Sequence, residues 1–165
     1  MAQAGSLTTK KVIGLLTGSA GLPANVAALS TQQNIAVPLL TNQQVVAQNV
    51  TVDIAEKSGA VKYPVIHVYT EKVLNALREK FRGFSGETQP VIEIRVSQDR
   101  LDGLEAQLHL YVDAVTQVLD GSRGDLGDGF FYAGGYDISY GPVTHGGRNF
   151  LQIAKVSFTL DLSTN

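Results

Sequence analysis

Apolar positions recur along this chain with two periods, and the switches between them divide it into elements. In "TTKKVIGLLTGSAGLPANVAAL" the residues Val12, Leu15, Leu16 and Ser19 mark one side of a short amphipathic helix, and "NVAALSTQQ" reads as a second. "IAVPLL" is apolar but broken by Pro38, which suits a connector or a sheet edge. The period then changes to two. Val46, Val50, Val52 and Ile54 alternate with Ala47, Asn49, Thr51 and Asp53, which predicts a half-buried strand over 46–54. "EKSGAVK" supplies turn residues, and "YPVIHVY" at 63–69 reads as the next strand, with Pro64 tolerable at its start.

In "TEKVLNALREKFRGFSG" the spacing of Leu74, Leu77, Phe81 and Phe84 predicts a helix ended by Ser85 and Gly86, with an extended arm as the alternative. "VIEIRVS" alternates Ile92, Ile94 and Val96 against Glu93, Arg95 and Ser97, the clearest strand signal in the middle of the chain. A strong helix follows, with Leu101, Leu104, Leu108, Tyr111, Val112, Val115, Val118 and Leu119 on one stripe and Asp102, Glu105, Gln107, Asp113 and Gln117 largely opposite. Ser97 or Asp99 is placed to cap its start, and Gly121 to stop it in the left-handed conformation. The chain then forms a ribbon of two strands, Phe130 to Tyr140 and Phe150 to Leu162. In the second, Ala154, Val156, Phe158, Leu160 and Leu162 share a face, while Gly134 and Gly135 mark a bulge or close backbone approach in the first. "GPVTHGGRN" is the connecting loop, wider than a two-residue turn. These elements sum to an α/β (α+β) fold: a small, mostly antiparallel sheet with one dominant helix packed on it, a C-terminal β-hairpin and an N-terminal helical arm.

Charge sharpens this division. From Val12 to Val52 there are 41 consecutive residues without Asp, Glu, Lys or Arg. Such a stretch reads either as a polar, flexible arm or as a surface buried against neighbouring subunits, because interface cores are depleted in charge. Residues 1–60 are accordingly taken as an N-terminal helix and uncharged arm, and residues 61–165 as the core domain. The apolar stretch after Lys10 and Lys11 resembles a secretory signal, but Thr17, Gly18, Ser19 and Pro23 interrupt it, and no run approaches the ~18 apolar residues of a membrane span. A soluble protein without a membrane partner is expected. A net charge of -2 argues against a basic nucleic-acid footprint, so no specific nucleic acid is expected either.

Candidate chemistry is sparse. The chain has no cysteine, which excludes disulfides, thiolate metal sites and a thiol nucleophile. His67, His109 and His145 fall on a strand, a helix and a loop, too scattered for a zinc arrangement. "DGSRGDLGDG", with Asp120, Asp125 and Asp128, lacks the alternation and terminal Glu of an EF-hand loop. Neither "GSAG" nor "FSGE" forms a nucleophile elbow, and no phosphate-cradling loop is present. Glu93, Asp99 and Glu105 lie near one another in sequence, but capping and solvated faces account for them. No catalytic, cofactor or metal residue is assigned, and an enzyme is not expected.

The element order, with "YPVIHVY" and the closing "GGYDISYGPVTHGGRNFLQIAKVSFTLDL", resembles the tail-terminator, or tail-completion, proteins of long-tailed bacteriophages. The resemblance covers residues 61–165; the uncharged arm departs from it. It implies a structural virion protein at the head–tail junction, assembled in the host cytoplasm as a homohexameric ring. One surface of that ring would cap the tail tube protein, and the other would meet a head-side connector or stopper protein. On this reading the hairpin loop around Val143, His145 and Arg148, together with the arm, makes intersubunit or tube contacts. Another head–tail connector (neck or head-completion) or tail component is the alternative, and a small ligand-binding domain or enzyme a more distant one.

Overall fold

The computed structural model describes residues 3–57, 61–146 and 148–165. In chain order the elements are helix α1 (Ala4–Thr17), helix α2 (Leu22–Gln33), a 3-10 turn at Asn42–Gln44, strand β1 (Val45–Val46), helix α3 (Val52–Lys57), strands β2 (Val65–Asn75) and β3 (Phe84–Gln98), helix α4 (Leu104–Asp120), and strands β4 (Gly124–Gly127), β5 (Phe130–Tyr132), β6 (Asp137–Tyr140), β7 (Thr144–Gly146), β8 (Asn149–Ser157) and β9 (Leu160–Thr164). The expected α+β class, with a mostly antiparallel sheet and a dominant helix, is the class observed.

Strand β3 is the axis of the sheet. It pairs antiparallel with β2 along one side; on the other, its second half pairs with β8 (Val91↔Ser157 to Gln98↔Phe150) and its first half with β9 (Phe84↔Thr164 to Thr88↔Leu160). The expected C-terminal ribbon is therefore present: β8 and β9 form one strand line, and β6 and β5 lie beside it through Ile138↔Val156 and Phe130↔Leu162. Gly134 and Gly135, expected as a bulge or close backbone approach within the first strand, instead lie in the break between β5 and β6, at φ 101 and 87; a Cβ on Gly134 would meet only the Arg123 side chain, and one on Gly135 nothing within 4 Å. All five residues assigned to the inner face of the second ribbon strand are buried.

Helix α4 lies across this inner face. Its stripe is buried from Leu104 to Leu119, and Leu110, Ala114, Gln107 and Thr116 are buried too, because α2 packs on its flank. Leu101 lies outside the helix and is exposed. The expected caps differ. Gly103, at φ 82, occupies the N-cap in place of Ser97 or Asp99, since the chain must turn sharply out of β3. Gly121 stays in the right-handed region, its N–H donating to the carbonyl of Gln117, so the helix runs on into the following turn.

Three further expectations are corrected. Residues 70–86 are not a helix: β2 continues to Asn75, a loop follows, and β3 begins at Phe84. The Asn75 side chain drives this, its Oδ1 accepting from the N–H groups of Leu77 and Ser85. Residues 46–54 are not one strand, since β1 ends at Val46 and α3 begins at Val52, with Asp53 in its first turn and Lys57 in its last, the charge order its dipole favours. The hairpin is tighter than a wide loop, with β7 pairing to β8 as far as Gly146↔Asn149. Val12, Leu16, Leu22, Val26, Leu29 and Leu40 of the uncharged stretch share one core with Ile66, Ile92, Leu108 and Val156. Among the described residues no single helix is long and apolar enough to cross a membrane.

Candidate assembly surfaces

The three residues assigned to the hairpin loop lie close along the chain but in different settings. Val143 is half-buried against the core, so it supports the loop from beneath. His145 is exposed in β7, its ring 5.6 Å from that of Phe150. Arg148 is exposed beside it, with no ion pair to a described residue.

A second protrusion, not anticipated from sequence, sits at the other end of β3. The loop 76–83 exposes Leu77 and Phe81, the latter completely, and holds both in the left-handed region at φ 48 and 67. Large side chains rarely sit there, at a cost of about 1–2 kcal/mol each. The loop is held by a dense set of bonds. Arg78 pairs with Glu87 and, at 3.1 Å, with Asp161. Arg82 donates to Asn165 at 3.0 Å, Asn75 Nδ2 to the Gly83 carbonyl at 3.2 Å, and the Glu79 N–H to Ser85 Oγ at 2.9 Å. The signal for an extended conformation is present in the sequence, since the run of β-branched and aromatic residues that begins at Val65 continues through Thr70. The helical spacing of Leu74, Leu77, Phe81 and Phe84 outweighed it, although only Phe84 of the four is buried.

Because β3 has 15 residues, the two protrusions are separated by roughly 45 Å at the usual rise of a strand. Several strand edges lack a neighbour among the described residues. They include β2 beyond His67, where the pairing with β1 ends, and the outer edge of β6, which pairs only with β8; the outer edges of the short β4 and β7 are unpaired too.

The sheet face away from α4 carries a buried ionic group. Arg95 donates to Glu93 at 2.7 Å and to the Val50 carbonyl, and Lys155 approaches Glu93 at 3.5 Å. His67 stands directly across from Glu93, with its Nδ1 buried and unbonded. Burial, reinforced by the positive charge of Arg95, pulls the His67 pKa below the ordinary imidazole range. Burial first, then the charges of Glu93 and Glu71, pushes the Tyr69 phenol up to about 12. This group fastens the Val50 backbone to the sheet and presents no nucleophile beside a base.

The remaining candidates disperse. Asp125 accepts from the Gly127 N–H at 2.8 Å, Asp128 pairs with Lys11 at 2.6 Å, and Asp120 faces Arg123 at 3.5 Å. His109 stacks on Tyr140 at 4.6 Å, away from His67 and His145. Among the described residues no three His, Asp or Glu side chains gather so as to hold a metal ion. A groove of about 950 Å³ runs between α1 and the C-terminal end of β9, bridged by the Lys11–Asp128 pair. No family model matches the chain, and no curated protein sequence matches it.

Proposed function

We propose that this chain is a structural protein of a long-tailed bacteriophage virion, a tail terminator. Its copies form a ring, six in number on the family resemblance, that caps the tail tube and joins it to a head-side connector. The observation that carries the reading is the bipolar layout of the subunit. A loop (76–83) that exposes Leu77 and Phe81 among the charged Arg78, Glu79, Lys80 and Arg82, and a hairpin that exposes His145 and Arg148, project from opposite ends of β3, and unpaired strand edges lie on its flanks. A ring subunit needs two axial contacts of different chemistry and two lateral contacts that complement each other, and a heterologous pair that closes by rotation meets the second need. An unpaired edge is otherwise a liability that proteins cover or charge.

Electron microscopy of tailed particles carrying a label on this chain tests the reading. A label at the head-proximal end of the tail is expected, and a label at the distal tip or along the tube overturns it. As a second readout, His145→Ser with Arg148→Ser leaves the isolated fold intact, because both side chains are exposed. The same change is expected to reduce the yield of joined particles; normal joining would remove the hairpin from the contact.

A further inference from the structure

We infer that the lateral contact is strand addition: the free edge of β2 in one copy pairs antiparallel with the outer edge of β6 in the next, making one sheet continuous around the ring. The inference rests on the ring reading above and adds to it the interface and its register.

Strand direction supplies the first argument. Along the sheet, β2, β3, β8 and β6 are antiparallel at every step, so β2 and β6 run in opposite senses. Rotation about an axis from which the strands are tilted by about 35–45° preserves their sense and keeps each sheet face on its own side. The β6 of one copy therefore meets the β2 of the next as an antiparallel pair with matching faces, whereas a two-fold relation would join β2 to β2.

The side chains of the two edges match in the same sense. After the irregularity between Thr70 and Lys72, Val73 stands opposite Thr88 on the core face, and Lys72 points to the other face with Gln89. On β6, Ile138 stands opposite Val156 on the core face, and Asp137 lies on the other face with Ser157. Val73 and Ile138 are both exposed, and an aliphatic cross-strand pair contributes when its members are opposed. With Val73 opposite Ile138, Lys72 lies diagonal to Asp137, and neither has an ion-pair partner among the described residues. Ile138 stands level with Ile92 of β3, and Val73 with Thr88. The step of four residues, roughly 13 Å, is the stagger that tilted strands carry in a closed sheet. It also moves the incoming strand clear of β1, which occupies the β2 edge at Ile66 and His67.

The absence of native cysteine makes the test direct. The full-length chain carrying Val73→Cys and Ile138→Cys is treated with a short bis-maleimide and resolved on a denaturing gel. The pairing predicts a ladder of covalent multimers ending at the ring number, with neither single variant giving more than background. Efficient self-linking of Val73→Cys alone overturns it in favour of a two-fold contact. If the chain sediments as an oligomer but the double variant gives no ladder, the edge assignment falls while the ring reading stands. A chain that stays monomeric at every concentration overturns both. In an independent arm, Lys72→Glu and Asp137→Lys each weaken association roughly three- to five-fold per contact, and the double reversal restores it. Failure to restore it removes the proposed register.

Discussion

Arg95→Met isolates a charge in the middle of the sheet, and its cost can be worked from the structure. The Arg95 and Glu93 side chains are only 4% and 7% exposed, and they are joined at 2.7 Å. Removing the guanidinium leaves the Glu93 carboxylate buried, with Lys155 at 3.5 Å as its remaining counter-charge, and that ammonium is half in solvent. Breaking one side of a buried pair costs about 3–5 kcal/mol, a large part of the roughly 5–15 kcal/mol that holds a domain together. With no tryptophan in the chain, urea unfolding is followed by far-ultraviolet circular dichroism. A slope of about 1.5–2 kcal/mol/M puts the midpoint about 1.5–3 M lower, with the slope unchanged. The double variant Glu93→Met with Arg95→Met discards both buried charges; it leaves the Val50 carbonyl and the Tyr69 hydroxyl without their partners in this group and the half-exposed Lys155 ammonium to solvent, so it costs about 1–3 kcal/mol, less than the single change. A single variant costing under about 1 kcal/mol, or a double costing the sum of the two singles, would refute the reasoning, because the charges would then be solvated or uncoupled.

Four other perturbations have outcomes set by the same packing. Leu108→Asp puts a carboxylate at a fully buried position on α4 and is expected to abolish the cooperative unfolding transition. Gly86→Ala drives a Cβ into the Leu74 carbonyl across the β2–β3 pair and should cost more than about 2 kcal/mol, read by the same urea titration. His67 has its folded pKa below the unfolded value near 6.5, so the unfolded chain binds the proton more readily. Its contribution is complete above that pH and is lost as the pH falls below it. Comparison with His67→Leu between pH 7.5 and about 5 should show a shallower loss in the variant, and equal slopes would exclude His67 as the source. Phe81→Gly relieves a left-handed residue that is wholly exposed and should raise stability by about 1 kcal/mol, while reducing capping of tubes if the loop docks there.

Legibility followed from where burial is decided. The ribbon strand from Phe150 to Leu162 and the helix around Leu108 read correctly because each buries a continuous face against the other side of the same core, so period and fold agree. Segments whose fate depends on distant partners did not. Leu74, Leu77, Phe81 and Phe84 fit a helix as well as a loop between two strands, and the deciding bonds come from Asn75, Glu87 and Asp161. The uncharged stretch looked like an arm because α1 and α2 have little amphipathic contrast. Each buries only a narrow stripe, Ala4, Thr8, Val12 and Leu16 in α1 and Leu22, Val26 and Leu29 in α2, and small or uncharged polar residues occupy most of the remaining positions, so period alone marks the buried side weakly. Val143, His145 and Arg148 were placed in the right hairpin, but sequence alone did not distinguish the half-buried Val143 from its exposed neighbours.

The loop at 76–83 poses an energetic question that the subunit alone does not answer. Two large residues are held in left-handed conformations by ion pairs and hydrogen bonds, yet Phe81 touches no core. That arrangement costs stability in the isolated chain and returns it only where Phe81 becomes buried. In the proposed ring each such burial contributes about 1.5–3 kcal/mol, too little for one copy to bind a tube end firmly against the entropy of association. Copies linked edge to edge present the contact once each, and the later contacts form within an assembled unit rather than from free solution. Capping then depends on a tube end that offers a matching ring of sites, so weak identical contacts would favour a completed tube over its scattered subunits.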